Sequence, residues 1–248
     1  MGGFCGRFIT GHVAELLSWR GAYVTLATVN FIGALLVVWL LPPSRCFVPN
    51  RNVKGALSVL WKHLHNQRLL AACAVGFCVL FSMIGVFTYV NLYLADSPFK
   101  LSAADLANVF CVYLAGVVVT PVAGRFIVRF GFLRSLQAAL AIFAAGLLLT
   151  LLPSLTLVIV GLAVFASGMF VCQSITMSFI ADSVSEGRSL ATGLYNMAYY
   201  AGGAVGTWVA GLAYEAGGWR GSVLAIFLIQ VLAAAIASVS WRKPKRCA

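Results

Sequence analysis

Long apolar runs, most of them long enough to cross a lipid bilayer as a helix, dominate the chain. Hydrophobic residues make up 62% of the 248 residues and charged residues only 9%, which leaves too little polar surface to coat a soluble globule. No alternation of apolar and polar residues with a period of two is sustained. The sequence therefore predicts an all-α membrane protein. Its eight predicted spans are residues 2–17, 22–41, 69–94, 106–124, 135–152, 155–181, 189–213 and 221–241.

Pro153 separates the fifth and sixth of these spans. Proline has no amide proton to donate, and it disfavours the helical conformation of the residue before it, here Leu152. We therefore expect a boundary there, and a long helix kinked at Pro153 is the alternative.

The Lys and Arg residues indicate how the spans are oriented. One set of loops contains only Arg20, Lys100 and Arg220. The other set contains Arg45, Arg51, Lys54, Lys62, Arg68, Arg125, Arg129, Arg134, Arg188, Arg242, Lys243, Lys245 and Arg246. The positive-inside rule places this second set, and with it the carboxyl terminus, in the cytoplasm. The net charge of +11 thus reflects topology, and no basic stretch is interleaved with aromatic residues as a nucleic-acid surface would be.

Residues 2–21 are repeated at 202–221, with eight identities that include the tripeptide Trp19-Arg20-Gly21. Both copies run outward in the predicted topology and lie six spans apart, which is the pattern of a parallel repeat in a transporter. Two six-span halves predict twelve spans. We therefore expect four spans and part of a fifth, roughly 150 residues by extension of the repeat, before Gly2.

Four sequence motifs resemble those of the major facilitator superfamily. They are the run from Gly2 to Arg7, the central loop before Arg68-Leu69-Leu70, the stretch from Pro121 to Gly131, and the stretch from Gly193 to Gly203. Within the superfamily they are similar to bacterial inner-membrane efflux permeases that exchange drugs for protons. The resemblance implies a major facilitator-type helical bundle in which this chain supplies the equivalents of helices 5 to 12 of twelve.

The resemblance also implies a division of the chain. Residues 1–41 would be a remnant of the first six-helix half, 42–68 the cytoplasmic central loop, 69–241 the second half and 242–248 a basic cytoplasmic tail. Within the central loop, Leu57, Leu60, Trp61 and Leu64 predict an amphipathic segment that lies on the cytoplasmic face.

The family's cytoplasmic gate motif, Gly-x-x-x-Asp-Arg-x-Gly, is matched except that Val128 stands at the Asp position. In the family this Asp helps to latch the cytoplasmic side, so the latch is in doubt here. The resemblance makes these residues gate candidates: Gly124, Arg125, Arg129, Gly131, Arg134, Asp182 and Arg188. Topological anchoring is the alternative for the three arginines of 125–134, and a simple loop ion pair is the alternative for Asp182 and Arg188.

Glycines recur at positions that suit close helix packing. Their spacing leaves one helix face without side chains, so a neighbouring backbone can approach. The helix-packing candidates are Gly2, Gly3, Gly6, Gly202, Gly203 and Gly206. In the family the corresponding helices 5 and 11 pack at the interface between the halves.

Arg7 is a charge inside an otherwise apolar segment, and Thr207 replaces it in the second copy of the repeat. Such a charge costs at least about 2.5 kcal/mol on insertion scales, so it normally faces a cavity or a partner. Arg7 is therefore a candidate to bind an anionic substrate or to tune a proton-coupling carboxylate. Pairing with backbone carbonyls or with an acid of another helix is the alternative.

Other polar side chains cluster in spans that resemble the cavity-lining helices of the family's second half. These candidates are Tyr89, Asn91, Asn108, Tyr113, Gln173, Thr176, Tyr195, Asn196 and Tyr199. Tyr195, Tyr199 and Gly202 share one helix face by their spacing. An aromatic cavity with amide groups suits an amphiphilic organic solute, and ordinary interhelical hydrogen bonding is the alternative.

Signals for enzymatic or metal chemistry are weak. The seven cysteines include no C-x-x-C pair, and His63 and His65 have no third ligand nearby. We therefore predict no enzyme, no metal and no cofactor. No carboxylate lies in the middle of a span, so the acid needed for proton coupling is expected in the missing helices.

The resemblance thus implies transport of a small organic solute across the bacterial inner membrane. The mechanism that it implies is efflux by proton antiport with alternating access, with protons and solute as partners and a monomer when full length. A uniporter or symporter would share this architecture. A membrane sensor or scaffold that moves no solute, or an inactive truncated transporter, is the alternative of a different class.

Overall fold

The computed structural model describes residues 2–42, 53–184 and 186–241 of the chain, and within these ranges every regular element is an α-helix. The predicted basic tail, 242–248, and part of the predicted central loop lie outside the described residues. The helices are α1 (Gly2–Leu16), α2 (Trp19–Leu40), α3 (Val53–Leu64), α4 (Gln67–Ala95), α5 (Ala103–Val109), α6 (Val112–Val119), α7 (Val122–Leu149), α8 (Leu155–Ser183) and α9 (Arg188–Ser240).

Two of these helices are interrupted by glycines and supply more than one span. Gly131 has φ 78° inside α7, and Gly218 has φ 58° inside α9, a backbone conformation that glycine adopts without a steric penalty. The chain reverses at Gly218. The segments before and after it lie side by side, since the Ser222 hydroxyl donates to the carbonyl of Ala210 at 2.8 Å. The described helices therefore include both predicted final spans, as 188–216 and 219–240.

Five helices, α2, α4, α7, α8 and α9, are long and apolar enough to cross a membrane. Together with the glycine breaks and the shorter apolar helices, they confirm the predicted all-α membrane fold. The boundary at Pro153 is also confirmed, since α7 ends at Leu149 and α8 begins at Leu155. The alternative of one kinked helix is wrong.

The fourth predicted span is longer than expected. It runs from α5 through α6 to Phe130, and the junction residues Phe110, Cys111, Thr120 and Pro121 keep right-handed helical dihedral angles. Pro121 has no amide proton for the bond to the preceding turn, which separates α6 from α7. Arg125 and Arg129, expected in a loop, therefore lie on the last turns of this helical segment, because no residue breaks the helix before Gly131.

The core lies between α4 and α9 and between α7 and α8. A Cβ at Gly202 or Gly206 would overlap the backbone of α4 at Phe77 or Phe81, and a Cβ at Gly146 would overlap the backbone of α8 at Phe165. Helices in lipid gain little from the hydrophobic effect between them, so close backbone approach through glycine is a main source of packing energy. These contacts join α4 to α9 and α7 to α8.

Aromatic and polar contacts hold one end of this bundle together. The Tyr93 and Trp219 rings stack with centroids 5.4 Å apart. The Trp219 indole N–H donates to the Thr150 carbonyl and hydroxyl oxygens, each at 3.2 Å. The last turns of α4 and α7 therefore meet α9, near its glycine break, at this end. The other end, where α4 begins and α8 ends, carries Arg68 and Arg134 and is called the basic end.

The first two helices pack more loosely. α1 contacts α2 and also α5. In α2, Ala22 is the buried residue among those described, and the rest of its surface is exposed or half-buried. These two helices form a hairpin beside the bundle and are not part of its core.

Candidate functional site

A cavity opens at the basic end, where α4, α7, α8 and α9 converge. Its volume is about 800 Å³. The chain turns at Gly131 to form one wall, because the left-handed φ of that residue breaks α7 at this point. The lining residues are Arg68, Ile127, Val128, Phe130, Gly131, Phe132, Leu133, Arg134, Phe179, Asp182, Ser183 and Trp241.

This cavity combines charged groups with an aromatic wall. The rings of Phe179 and Trp241 stack with centroids 3.8 Å apart and an interplanar angle of 6°. Two guanidinium groups, from Arg68 and Arg134, share the cavity with the carboxylate of Asp182. A carboxylate and two guanidinium groups in one water-accessible space can exchange ionic partners when the surrounding helices move.

Three of the seven predicted gate residues, Gly131, Arg134 and Asp182, meet in this cavity. The other gate candidates lie outside its lining: Gly124 and Arg125 are exposed, and the Arg129 guanidinium lies 5.2 Å from the centroid of the Phe130 ring. Arg68 and Trp241 are lining residues that the sequence reasoning did not single out. Their position follows from helix order, because both lie at the ends of spans beside the gate motif.

The expected pairing of Asp182 with Arg188 is not formed. The Arg188 Nε–H instead donates to the carbonyl oxygen of Val184, the residue that follows α8, at 3.0 Å. Among the side chains that the structure describes, the ion pair at this end joins Lys62 Nζ to Glu186 Oε2 at 3.7 Å. Both partners of that pair are mostly exposed, so its contribution to stability is small.

Several predicted cavity residues are buried inside the bundle, where they form hydrogen bonds or pack against other rings. Tyr195 is fully buried and its hydroxyl donates to Gln173 Oε1 at 2.6 Å, which ties α9 to α8. Thr176 is also fully buried and donates to Cys172 of its own helix. Tyr113 is buried against Phe87, with ring centroids 4.6 Å apart.

The remaining candidates differ in how accessible they are. The Tyr89 hydroxyl donates to the Thr207 carbonyl at 3.0 Å and joins α4 to α9. Asn91 donates to the Phe87 carbonyl at 3.0 Å. Asn108 and Asn196 are exposed, and Tyr199 is half-buried. The side chain of Arg7, which lies on α1, is outside the described side chains.

The glycine candidates also fall into two groups. Gly202, Gly203 and Gly206 are buried against α4. An added Cβ at Gly6 would meet nothing within 4 Å among the described residues. For Gly2 and Gly3, the structure describes only the helical backbone.

One face of α9 is exposed, and of its residues the sequence reasoning named only Asn196 as a cavity candidate. Tyr200 and Trp208 are 70% and 67% exposed, and Asn196 precedes them on the same face. The spacing of four and eight residues was a usable signal. The sequence reasoning assigned the opposite face, with Tyr195 and Tyr199, to the cavity. That face carries the glycines, and glycines mark the side where another helix backbone approaches.

In the ranges that the structure describes, no three His, Cys, Asp or Glu side chains are grouped so that they could hold a metal ion.

Comparison with known proteins identifies the family. The Major Facilitator Superfamily profile matches residues 1–112 and 99–246. An uncharacterized transporter of Buchnera aphidicola is 32% identical over 237 residues, which cover 95% of the chain and 57% of the relative. The inner membrane transport protein YnfM of Escherichia coli is 28% identical over 242 residues, with coverages of 95% and 57%.

A shorter match concerns a relative whose name includes its solute. The 2-nitroimidazole transporter of Escherichia coli is 32% identical over 130 residues, which cover 52% of the chain and 33% of that protein. The chain spans about 57% of the length of the first two relatives. These similarities indicate a multi-pass membrane protein of a transporter class and not an enzyme, and they confirm the family that the sequence motifs predicted. The chain belongs to the Major Facilitator Superfamily.

Proposed function

We propose that the chain belongs to an exporter that moves a small planar organic solute out of the bacterial cytoplasm across the inner membrane in exchange for protons. The exposed face of α9 with Asn196, Tyr200 and Trp208 carries this proposal. Large aromatic side chains stack on planar solutes, and an amide supplies a hydrogen bond that orients them. The named solute of the 2-nitroimidazole transporter is of this chemical type.

In this proposal the second half of the transporter, residues 69–241, moves as one body. The support is the close contact of α4 with α9 and of α7 with α8, which glycines make possible. Residues 1–41 belong to the other half and follow its motion. Tyr195, Gln173 and Thr176 then hold the bundle together, while the exposed face of α9 meets solute.

The basic end is the cytoplasmic end in this proposal, as the positive charges favour. The cavity with Arg68, Arg134 and Asp182 then lies where the cytoplasmic gate closes. Rocking of the two halves exchanges the ionic partners of these groups. The other gate candidates on α7, Arg125 and Arg129, anchor the helix to the lipid headgroups.

Exchange for protons requires an acid within the membrane that changes its protonation state. The carboxylates with described side chains, Asp96, Asp105, Asp182, Glu186 and Glu215, lie at the ends of helices or in loops. We assign the coupling acid to the part of the family's length that this chain does not span. A uniporter, a symporter, a sensor or scaffold and an inactive truncated protein are the competing functions.

Flux measurements in proteoliposomes test the proposal. The proposed exporter is reconstituted at the full length of the family, with this chain as part of it and 2-nitroimidazole as the probe. Movement of the probe is followed with the pH gradient imposed in either direction, and we expect the direction of net flux to reverse with the gradient. Flux that does not depend on the gradient would indicate a uniporter, and a folded protein that gives no flux at all would favour a sensor, a scaffold or an inactive protein.

The aromatic face is tested in the same assay with single variants. Tyr200→Ala and Trp208→Ala are expected to lower flux about threefold to tenfold, since aromatic contacts contribute about 0.5–1.5 kcal/mol each. Leu212→Ala is the matched control, because Leu212 is exposed on the same helix and lacks a ring. Equal losses in all three variants would remove the aromatic face from the solute site.

A further inference from the structure

The helix α3, which leads into the membrane-length helix α4, is fixed to the bundle by one of its faces. His63 is only 6% exposed, and its Nε2 lies 3.3 Å from the Gly187 carbonyl oxygen. Val59 packs on the same residue, so closely that a Cβ at Gly187 would lie 2.6 Å from Val59 Cγ1. Because Gly187 directly precedes α9, this face of α3 holds the loop from which α9 begins.

A second face of α3 is apolar and exposed. Leu57, Trp61 and Leu64 are 59%, 67% and 41% exposed. Their spacing of four and three residues places them on one stripe of the helix. At 100° per residue, this stripe points about 150° away from the face that contains Val59 and His63. The docking of α3 on the bundle therefore leaves the stripe turned outward.

The stripe lies close to where a membrane surface must be. Only His65 and Asn66 separate α3 from α4. The Asn66 side chain accepts from the Arg68 and Leu69 amides at 3.1 and 3.3 Å, which fixes the start of α4. Leu64 thus lies within about 11 Å of the first residue of a span, measured along the chain. A Trp with neighbouring Leu residues at this depth is typical of an interfacial helix.

The charge around the stripe favours an anionic partner. Among the described residues, the basic end carries Lys62, Arg68, Arg125, Arg129, Arg134 and Arg188, against the acidic Asp182 and Glu186. Lys and Arg side chains near an anionic leaflet attract it strongly over short distances, and a zwitterionic surface offers no such attraction.

We propose that α3 is an interfacial helix that binds the anionic lipid surface at the basic end through Leu57, Trp61 and Leu64. By its opposite face it connects that surface to the loop at Gly187, so the lipid composition of the leaflet acts on the start of α9. This proposal does not rest on solute transport, and it remains testable if the exporter assignment fails.

Spin-label accessibility, measured on the full chain in nanodiscs, distinguishes whether lipid, water or protein contacts the stripe. Leu57→Cys and Leu64→Cys are compared with Ser58→Cys, an exposed position of α3 off the stripe. The background replaces the exposed Cys5 and Cys111, together with Cys46 and Cys247, by Ser. We expect labels at 57 and 64 to collide with oxygen and the label at 58 to collide with a water-soluble nickel complex.

Changing the lipid in this experiment tests whether the stripe prefers an anionic lipid surface. Replacing part of the phosphatidylcholine by phosphatidylglycerol is expected to lower the nickel collisions at 57 and 64 about fivefold, since each Lys or Arg near an anionic surface contributes about 1 kcal/mol. An unchanged value would overturn the preference for anionic lipid. Low collision rates with both reagents would mean that protein covers the stripe, and high nickel collisions at all three sites would mean that water does. Either of these results would overturn the proposal.

Discussion

The Tyr195 side chain shows how a polar residue inside a span serves packing. Its hydroxyl donates to Gln173 Oε1 at 2.6 Å while its ring fills the space left by Gly76 on α4. Three helices thus depend on one residue. A hydroxyl buried in this position cannot hydrogen-bond to water. Its bond to Gln173 therefore offsets the free energy lost on removing the hydroxyl from solvent.

Removing that hydroxyl is predicted to destabilise the bundle without abolishing solute movement. We expect Tyr195→Phe to lower the free energy of unfolding by about 1 kcal/mol, because one buried hydrogen bond is lost and the ring is retained. Thermal unfolding in detergent measures the change. Tyr200→Phe, at a highly exposed tyrosine of the same helix, is the control and should unfold like the parent chain. A reversed order of the two variants would place Tyr200, and not Tyr195, in the core.

At the level of the helices, the sequence predicted where spans begin and end better than it predicted which face is buried. Boundaries depend on local features: Pro153 separates α7 from α8, and glycines interrupt α7 and α9. Arg125 and Arg129, by contrast, lie within a helix and did not end it. The orientation of a helix depends on its neighbours. The sequence alone therefore did not decide whether Tyr195 faces a cavity or α8, although the glycines of the same face carried that information.

The gate residues illustrate the same limit. Two residues of the motif, Gly131 and Arg134, line one cavity, and their role as gate residues stays a prediction. The resemblance did not predict that Arg188 would bind the carbonyl of Val184 in place of Asp182. That choice depends on a side-chain rotamer and on sub-ångström distances, which sequence spacing does not determine.

The contact of α9 with α4 leads to a prediction for the helices. A methyl group at Gly202 or Gly206 would overlap the backbone of Phe77 or Phe81, so the two helices must separate or shift. We expect Gly202→Ala or Gly206→Ala to lower the free energy of unfolding by about 1–3 kcal/mol through overpacking. Thermal unfolding in detergent again measures the effect.

Gly193→Ala provides the matched control on the same helix. An added Cβ at Gly193 meets nothing within 4 Å, and alanine favours a helix interior by up to about 1 kcal/mol over glycine. The control should therefore be neutral or stabilising. If Gly202→Ala and Gly193→Ala behaved alike, close backbone contact between α4 and α9 would not be a source of stability.

For the whole molecule, the two ends of the bundle differ in character. The basic end combines the cavity with Arg68 and Arg134, the docked helix α3 and the loop at Gly187. The opposite end is held by stacked Tyr93 and Trp219 and by the bond to Thr150. The ionic cavity therefore lies at one end of the bundle, and the stacking of Tyr93 on Trp219 joins α4 to α9 at the other.

This asymmetry makes the membrane orientation the decisive property to measure. Excess Lys and Arg retain the loops that carry them in the cytoplasm, and moving one charge across the membrane potential involves about 2.3 kcal/mol per 100 mV. We therefore expect Glu186→Cys to react with a membrane-impermeant maleimide only after cells are permeabilised. Ala216→Cys, exposed at the opposite end of the same helical hairpin, should react in intact cells.

Peptide mass spectrometry reads each site separately, so the native cysteines do not interfere with the comparison. Reaction of Glu186→Cys in intact cells and protection of Ala216→Cys would invert the topology. The cavity with Asp182 would then face outward, and the assignment of the basic end as the cytoplasmic gate would be wrong. The expected pattern would instead place α3, the loop at Gly187 and the ionic cavity together on the side from which an exporter must collect its solute.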